Sequence, residues 1–220
     1  IEKPIARSLE KSKNIIESVS INGVKLLIGH ILRFDSSYLQ AYKAIRNGEI
    51  GNIVHLYTRR NDTIEDALRL EGITSLPFYL GVHDYDLINW FVQDDLETTY
   101  SISNSVVLKD LNVDDSVFST FKYKNGTIAS SEISWILPES IGKSDMSMEI
   151  VGTKGVIYID AYNSGFRVHT NKFKMPDTMY CSKGINDRII GALREQITHF
   201  IDCIISIKLL TTSDIGVVAP

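Results

Sequence analysis

The stretch SVFSTFKYKNGTIASSEISWIL, residues 116–137, decides the fold. Its first nine residues alternate polar and apolar side chains, the period of a strand covered on one face. Asn125-Gly126 follows, a pair suited to a tight hairpin turn, and a second strand-like run starts at Thr127. Two strands joined this closely can only lie antiparallel.

Working outward, the same grammar recurs at NIVHLYTRR (52–60), TTYSISNSVV (98–107), MSMEIVGT (146–153), GVIYIDAY (155–162) and GFRVHT (165–170). Thr153-Lys154-Gly155 fits a second hairpin. These runs predict a large, mostly antiparallel open sheet of seven strands. Two helices interrupt it, over roughly 83–93 and 188–208. In the second, Leu193, Ile197, Phe200, Ile201, Ile204 and Ile205 make one apolar stripe.

The front reads differently. Ser8 can cap a helix running to about Val19, with Leu9, Ile15, Ile16 and Val19 inward, and Asn22-Gly23 ends it. VKLLIG (24–29) is a continuous apolar run, as in a strand covered on both faces. A further helix from Ser36 or Ser37 to Arg46 buries Leu39, Tyr42 and Ile45, and Asn47-Gly48 stops it. Helix, buried strand and helix suggest the tail of a parallel α/β unit. The fold class expected is therefore α+β, with an α/β remnant first. The expected domains are residues 1–34, a connecting helix over 35–50, and an α+β domain over 51–220 with helices on one face of the sheet.

Composition narrows the function. The chain has 220 residues, 44% hydrophobic and 23% charged, with a formal net charge of −4. That is an ordinary globular balance without the basic footprint of a nucleic-acid binder. No apolar run approaches the ~20 residues that cross a bilayer, so no membrane partner is expected. Cys181 and Cys203 are isolated, which suits a reducing cytoplasm. His30, His55, His169 and His199 fall in different elements without ligand spacing, so no metal site is expected.

Two residues raise the question of chemistry. In HDYDLINWF (83–91), Leu87, Ile88, Trp90 and Phe91 recur at helical spacing, which places His83 in the first turn. A helix N-terminus favours the neutral imidazole, able to accept a proton. Asp84 and Asp86 oppose that effect, and either can orient the ring. The plain alternative is a histidine that satisfies backbone groups at a helix start. Lys3 lies between Glu2 and Pro4 at the end of an apparent strand. Proline holds the preceding residue extended, and open α/β sheets bind ligands at the carboxyl ends of their strands.

Glu2-Lys3-Pro4, GHILRF (29–34), AIRNGEIGNIV (44–54), LGVHDYDLINW (80–90) and VGTKGVIYID (151–160) come in the order and at the spacings of one family. The chain resembles the Gfo/Idh/MocA oxidoreductases across nearly its whole length. The resemblance implies an N-terminal Rossmann domain binding NAD or NADP, and a C-terminal open sheet carrying substrate and oligomer contacts. It implies oxidation of a secondary alcohol of a sugar, cyclitol or sugar derivative. The family's lysine matches Lys3, beside the nicotinamide and the reacting oxygen, and its helix-opening histidine matches His83, which exchanges the hydroxyl proton. Glu2, Pro4 and Arg33 then belong to the cofactor end, and Asp84 and Asp86 to the substrate end.

Two departures stand out. The family often has an aspartate four residues before the histidine, where this chain has Tyr79. The expectation is that the Tyr79 hydroxyl partly replaces it on the substrate. No Gly-x-Gly-x-x-Gly follows any strand. On this reading the chain lacks most of the Rossmann domain and would bind NAD poorly by itself. The open sheet face, with apolar residues at alternating positions of 98–137, predicts a homodimer or homotetramer. The reading from another class is a non-catalytic ligand-binding or assembly protein that keeps the fold.

Overall fold

The computed structural model describes residues 1–141, 144–160, 168–169, 173–174, 182–183, 185–205 and 217–218. In chain order the elements begin with α1 (Leu9–Ile21), β1 (Leu26–Leu27), α2 (Ser36–Arg46), β2 (Ile53–Thr63) and α3 (Ile64–Leu70). They continue with α4 (Val82–Val92), β3 (Leu96–Asn104), β4 (Ser116–Tyr123), β5 (Ile128–Leu137), β6 (Asp145–Gly152), β7 (Val156–Asp160) and α5 (Ala192–Ile205). The chain divides into two compact units, Ile1–Leu39 with Asp177–Pro220, and Gln40–Pro176.

In the first unit, Ser8 caps α1 by accepting from the Lys11 N–H at 3.3 Å. Gly23, at φ +59, turns the chain out of the helix. Val19 packs with Leu26 and Ile28, and Ile5 and Ile15 lean on that cluster. Leu9 and Ile16, expected inside, are exposed. The apolar run is buried at Leu26, Leu27 and Ile28, although only two of its residues form a regular strand. It is flanked on both edges. Leu26 and Leu27 pair antiparallel with Val218 and Val217. On the other edge the Ile1 ammonium donates to the Leu27 carbonyl at 2.9 Å, and the Gly29 N–H donates to the Ile1 carbonyl at 2.8 Å. That is the slanted bonding of a parallel pair, the α/β character expected of the front.

α5 belongs to this unit, contrary to the expected grouping of everything after residue 51 into one domain. The reason is packing: Ala192 and Cys203 share a cluster with Leu27 and Phe34, joined by Ile31 and Phe200. The Lys25 ammonium also donates to the Cys203 carbonyl. This seats the helix by its Ala192–Gln196–Cys203 side. Leu193, Ile197, Ile201, Ile204 and Ile205 of the predicted stripe are exposed instead.

The second unit is built on a six-stranded sheet in the order β3-β4-β5-β2-β6-β7. Every neighbour pair is antiparallel except β2 with β5, which runs parallel. The excursion through α3, α4, β3 and β4 supplies the long connection that a parallel pair needs. The predicted hairpin at Asn125-Gly126 forms, with Gly126 at φ +90 and its N–H bonded to the Tyr123 carbonyl at 3.0 Å. Of the run 165–170, Val168–His169 is described and pairs antiparallel with Phe173–Lys174 in a separate two-stranded sheet; the rest of the run lies outside the described residues. Cys181 lies outside them too. α3 is a helix that alternation in the sequence did not announce, since IEDALRL continues directly from the end of β2.

Two of the quoted motifs meet at one corner. The Thr153 N–H bonds the Asn52 carbonyl at 2.9 Å, and the Lys154 N–H bonds the Ile50 carbonyl at 2.8 Å. A Cβ on Gly152 would collide with that Ile50 carbonyl, so glycine is required there for the two turns to touch. GEIGN and VGTKG are thus a structural lock between the starts of β2 and β7.

The covered face of the sheet carries one main cluster, with Val117, Ile133 and Trp135 from the strands against Ala67, Leu76 and Leu80. Tyr57, Tyr79 and Tyr123 are each pushed up to about 12, chiefly by burial. A raised phenol pKa means the folded chain holds its proton more tightly than the unfolded one. The stabilisation is complete below the ordinary value of about 10 and is lost as pH rises toward the folded value. Alkaline titration should therefore show a lagging group of phenolates that appears with unfolding, between about pH 10 and 12. All ten tyrosines ionising together before any loss of circular dichroism would contradict this.

Candidate active site

In the first unit, Glu2-Lys3-Pro4 leaves the end of the Ile1–Ile28 pairing. Gly29 lies against it, and a Cβ there would stand 3.4 Å from the Glu2 Cα. Glu2 is exposed, Lys3 and Pro4 are half-buried, and the Lys3–Pro4 peptide is cis. Arg33, also half-buried, sits in a single 3₁₀ turn over Ile31–Phe34. Asp35 then opens α2 by accepting from the Ser37 N–H at 2.9 Å. Burial raises its pKa against the pull of its backbone bonds to Ser37 and Tyr38. The expected cofactor-end residues thus all lie in one unit, on the segments that follow the buried strand edge.

The residues expected at the substrate end gather in the second unit, around the start of α4. A five-residue π-helical turn, Pro77–Gly81, leads straight into the helix. Such turns are uncommon and recur at functional sites. Gly81 is needed there, because a Cβ would come within 2.9 Å of Tyr85 and Ile133 side chains. His83 follows in the first turn, 9% exposed. Asp86 is half-buried one turn on.

Asp84 does something the sequence did not suggest. It is turned into the unit, and Arg60 of β2 grips both carboxylate oxygens, with Nε to Oδ2 at 2.8 Å and Nη2 to Oδ1 at 3.1 Å. The two side chains are 1% and 2% exposed. Arg60 was missed by sequence reasoning, yet its position carried a signal. It shares the covered face of β2 with Leu56 and Thr58, where a lone arginine needs a partner.

Tyr79 was expected to point its hydroxyl at substrate. Instead the hydroxyl donates to Asp66 Oδ2 at 2.9 Å and accepts from Arg69 Nη2 at 3.0 Å. Its ring tilts against Trp135, with centroids 6.0 Å apart. Asp66 and Arg69 belong to α3, the helix that was not foreseen, so this partnership was invisible beforehand.

The donor set tests what these residues can hold. Among the described residues no group of histidine, cysteine and carboxylate side chains could bind a metal. No helix there is long and apolar enough to cross a membrane. Of the residues expected at a nicotinamide, Lys3 and Arg33 lie in the same unit and are both half-buried. Among the described residues, α1 opens on Arg7-Ser8 and α2 on Asp35, neither with a glycine-rich loop to cradle a pyrophosphate.

Residues 38–158 match the family model described as the GFO/IDH/MocA C-terminal domain. Among curated proteins, the chain is 27% identical over 163 residues to scyllo-inositol 2-dehydrogenase (NAD(+)) of Bacillus subtilis (strain 168), covering 72% of this chain and 47% of that one. It is 28% identical over 167 residues to 2,7-anhydro-N-acetylneuraminate hydratase of Escherichia coli (strain K12), covering 72% and 44%. Its fold resembles the crystal structure of myo-inositol 2-dehydrogenase from Lactobacillus plantarum, with TM-score 0.75 and 20% identity over 97% of this chain and 65% of that one. The chain spans about half the length of these curated relatives.

Proposed function

This chain belongs to the GFO/IDH/MocA family, and from that premise we propose that the whole protein is an NAD- or NADP-dependent oxidoreductase acting on a secondary alcohol of a sugar or cyclitol. The observation that carries the reading is His83, held in the first turn of α4 beside a buried ion pair. Kinship with a relative named for scyllo-inositol and NAD(+) supports the substrate and cofactor classes.

Hydride leaves a carbinol carbon most easily as its hydroxyl becomes alkoxide, so a base and a positive charge must converge on that oxygen. In this proposal His83 takes the hydroxyl proton, and the Lys3 ammonium stabilises the oxygen as negative charge develops. Bound nicotinamide supplies the hydride acceptor. Glu2, Pro4 and Arg33 line the nicotinamide end. Asp86 remains the substrate-contacting carboxylate, whereas Asp84 serves through Arg60 and Tyr79 through its place on Trp135.

The test is to mix the full-length protein with NAD⁺ or NADP⁺ and a panel of inositols and sugars, following the absorbance of reduced nicotinamide. Turnover of at least one cyclitol or sugar is expected. A full-length protein that binds these polyols yet never reduces either cofactor would favour the non-catalytic reading.

We further propose that copies associate through the open sheet face as a homodimer or homotetramer. Tyr100 and Phe118 stand there 67% and 51% exposed, with Ile102 directly opposite Phe118 and the exposed Ile128 opposite Lys122. Light scattering should give a mass of at least two chains, reduced by Phe118→Glu. A monomer at micromolar concentration would defeat this. A reducing cytoplasm is the proposed location, in keeping with a buried, free Cys203.

A further inference from the structure

The start of α4 is set by unusual means. The helix has Gly81 at its cap position, which offers no side-chain cap. It is entered from a π-helical turn rather than from an extended residue. A helix that starts from extended chain is often fixed by a capping side chain; here the preceding turn supplies the backbone acceptor instead, with the Val82 N–H bonded to the Pro77 carbonyl. A buried salt bridge holds Asp84, the third residue of α4, to a strand on the covered face of the sheet. The third branch of the fork is also used, with Arg60 Nη1 at 2.8 Å from the Met146 sulfur on β6.

Stability alone does not explain such a pair. Removing two charges from water costs about as much as their attraction returns, and packed apolar side chains of similar volume often do as well. What an apolar pair does not provide is direction. The guanidinium is planar and engages both carboxylate oxygens, so it fixes the rotation of Asp84 as well as its distance from β2. The residue before Asp84 is His83, sharing a peptide bond with it.

We propose that Arg60 and Asp84 are positioning residues for His83: the fork registers the first turn of α4 against β2 and so sets the direction of the imidazole. The inference rests on His83 being the acid–base group. Neither Arg60 nor Asp84 touches substrate in this account. The Arg60–Asp84 pair acts only through the backbone of the helix start.

The experiment uses the full-length protein, with NAD⁺ and scyllo-inositol as probes and the imidazole carbon–proton NMR signals of histidine as a readout independent of turnover. Three variants are compared: Arg60→Lys, the double replacement Arg60→Met with Asp84→Leu, and Arg69→Lys as a control at an exposed pair. The double replacement should recover most of the parental melting temperature, yet leave kcat lowered at least tenfold with KM within threefold. Arg60→Lys keeps the charge and loses the fork, so kcat should fall at least fivefold, and the His83 signal should broaden or split. Arg69→Lys should change neither.

Recovery of kcat together with melting temperature in the double variant would overturn the proposal, because the pair would then be structural only. If the double variant does not fold, Arg60→Lys decides alone: an unchanged His83 signal overturns the proposal, and a split one supports it. A parallel His83→Asn separates the two readings. If it retains full kcat, the acid–base assignment has failed and the positioning role fails with it. If it loses kcat while Arg60→Lys does not, only the positioning role has failed.

Discussion

In the full-length protein, His83→Asn is expected to lower kcat by about 10²- to 10⁴-fold, the usual contribution of a positioned general acid or base. At 1.36 kcal/mol per tenfold, that is a loss of about 3–5 kcal/mol of transition-state stabilisation. Asparagine keeps most of the side-chain volume and some hydrogen bonding at this 9% exposed site. The fold should therefore survive, and KM for the polyol should change by less than about tenfold, since proton transfer matters more to the transition state than to binding. In the proposed mechanism Lys3→Met should also lower kcat, through loss of the charge assigned to stabilise the alkoxide. Steady-state kinetics on both variants checks the pair. Normal kcat in His83→Asn would remove the base from the mechanism.

Trp135→Ala is expected to destabilise the sheet unit by about 3–5 kcal/mol, the cost typical of deleting a fully buried aromatic side chain. Trp135 is 1% exposed and belongs to the main cluster with Ile133, Val117 and Leu80. Its indole N–H donates to the Asp114 carbonyl at 2.7 Å, so its loss also leaves a backbone acceptor unpaired. Trp135→Phe keeps most of the apolar volume and loses that hydrogen bond, and should cost about 1–3 kcal/mol. Denaturant unfolding followed by circular dichroism separates the two. Equal costs would mean that the hydrogen bond, rather than the volume, dominates. Tyr79 leans on this ring, so Trp135→Ala should also loosen the entry to α4.

The open sheet was readable because its signals are local. Alternation in 116–123, the Asn-Gly turn at 125–126 and the short link at 153–155 each depend on residues that are neighbours in the chain. The α1 cap at Ser8 and the helical stripe behind His83 are local in the same way. The parallel pairing of β2 with β5 was not readable, because the partners are about seventy residues apart and alternation carries no record of strand order. The placement of α5 failed for a related reason. Its most apolar stripe pointed one way, and the contact with Leu27 and Phe34, which needs small residues at Ala192 and Cys203, pointed another.

The candidate site divides along the same line. The sequence by itself determined most of the strand and helix types and the family motifs, and it nominated Lys3 and His83 as candidates for charge stabilisation and proton exchange. Only the tertiary structure decided which carboxylates are spent internally. Asp84 and Asp86 look alike in HDYD, but one turn of helix places Asp84 against a strand face and leaves Asp86 half in solvent. Tyr79 looked like a substitute for a substrate-binding group until α3 brought Asp66 and Arg69 to its hydroxyl. The physical reason is common to both. A polar side chain's task depends on which partner reaches it first, and those partners come from elements brought near by packing rather than by sequence.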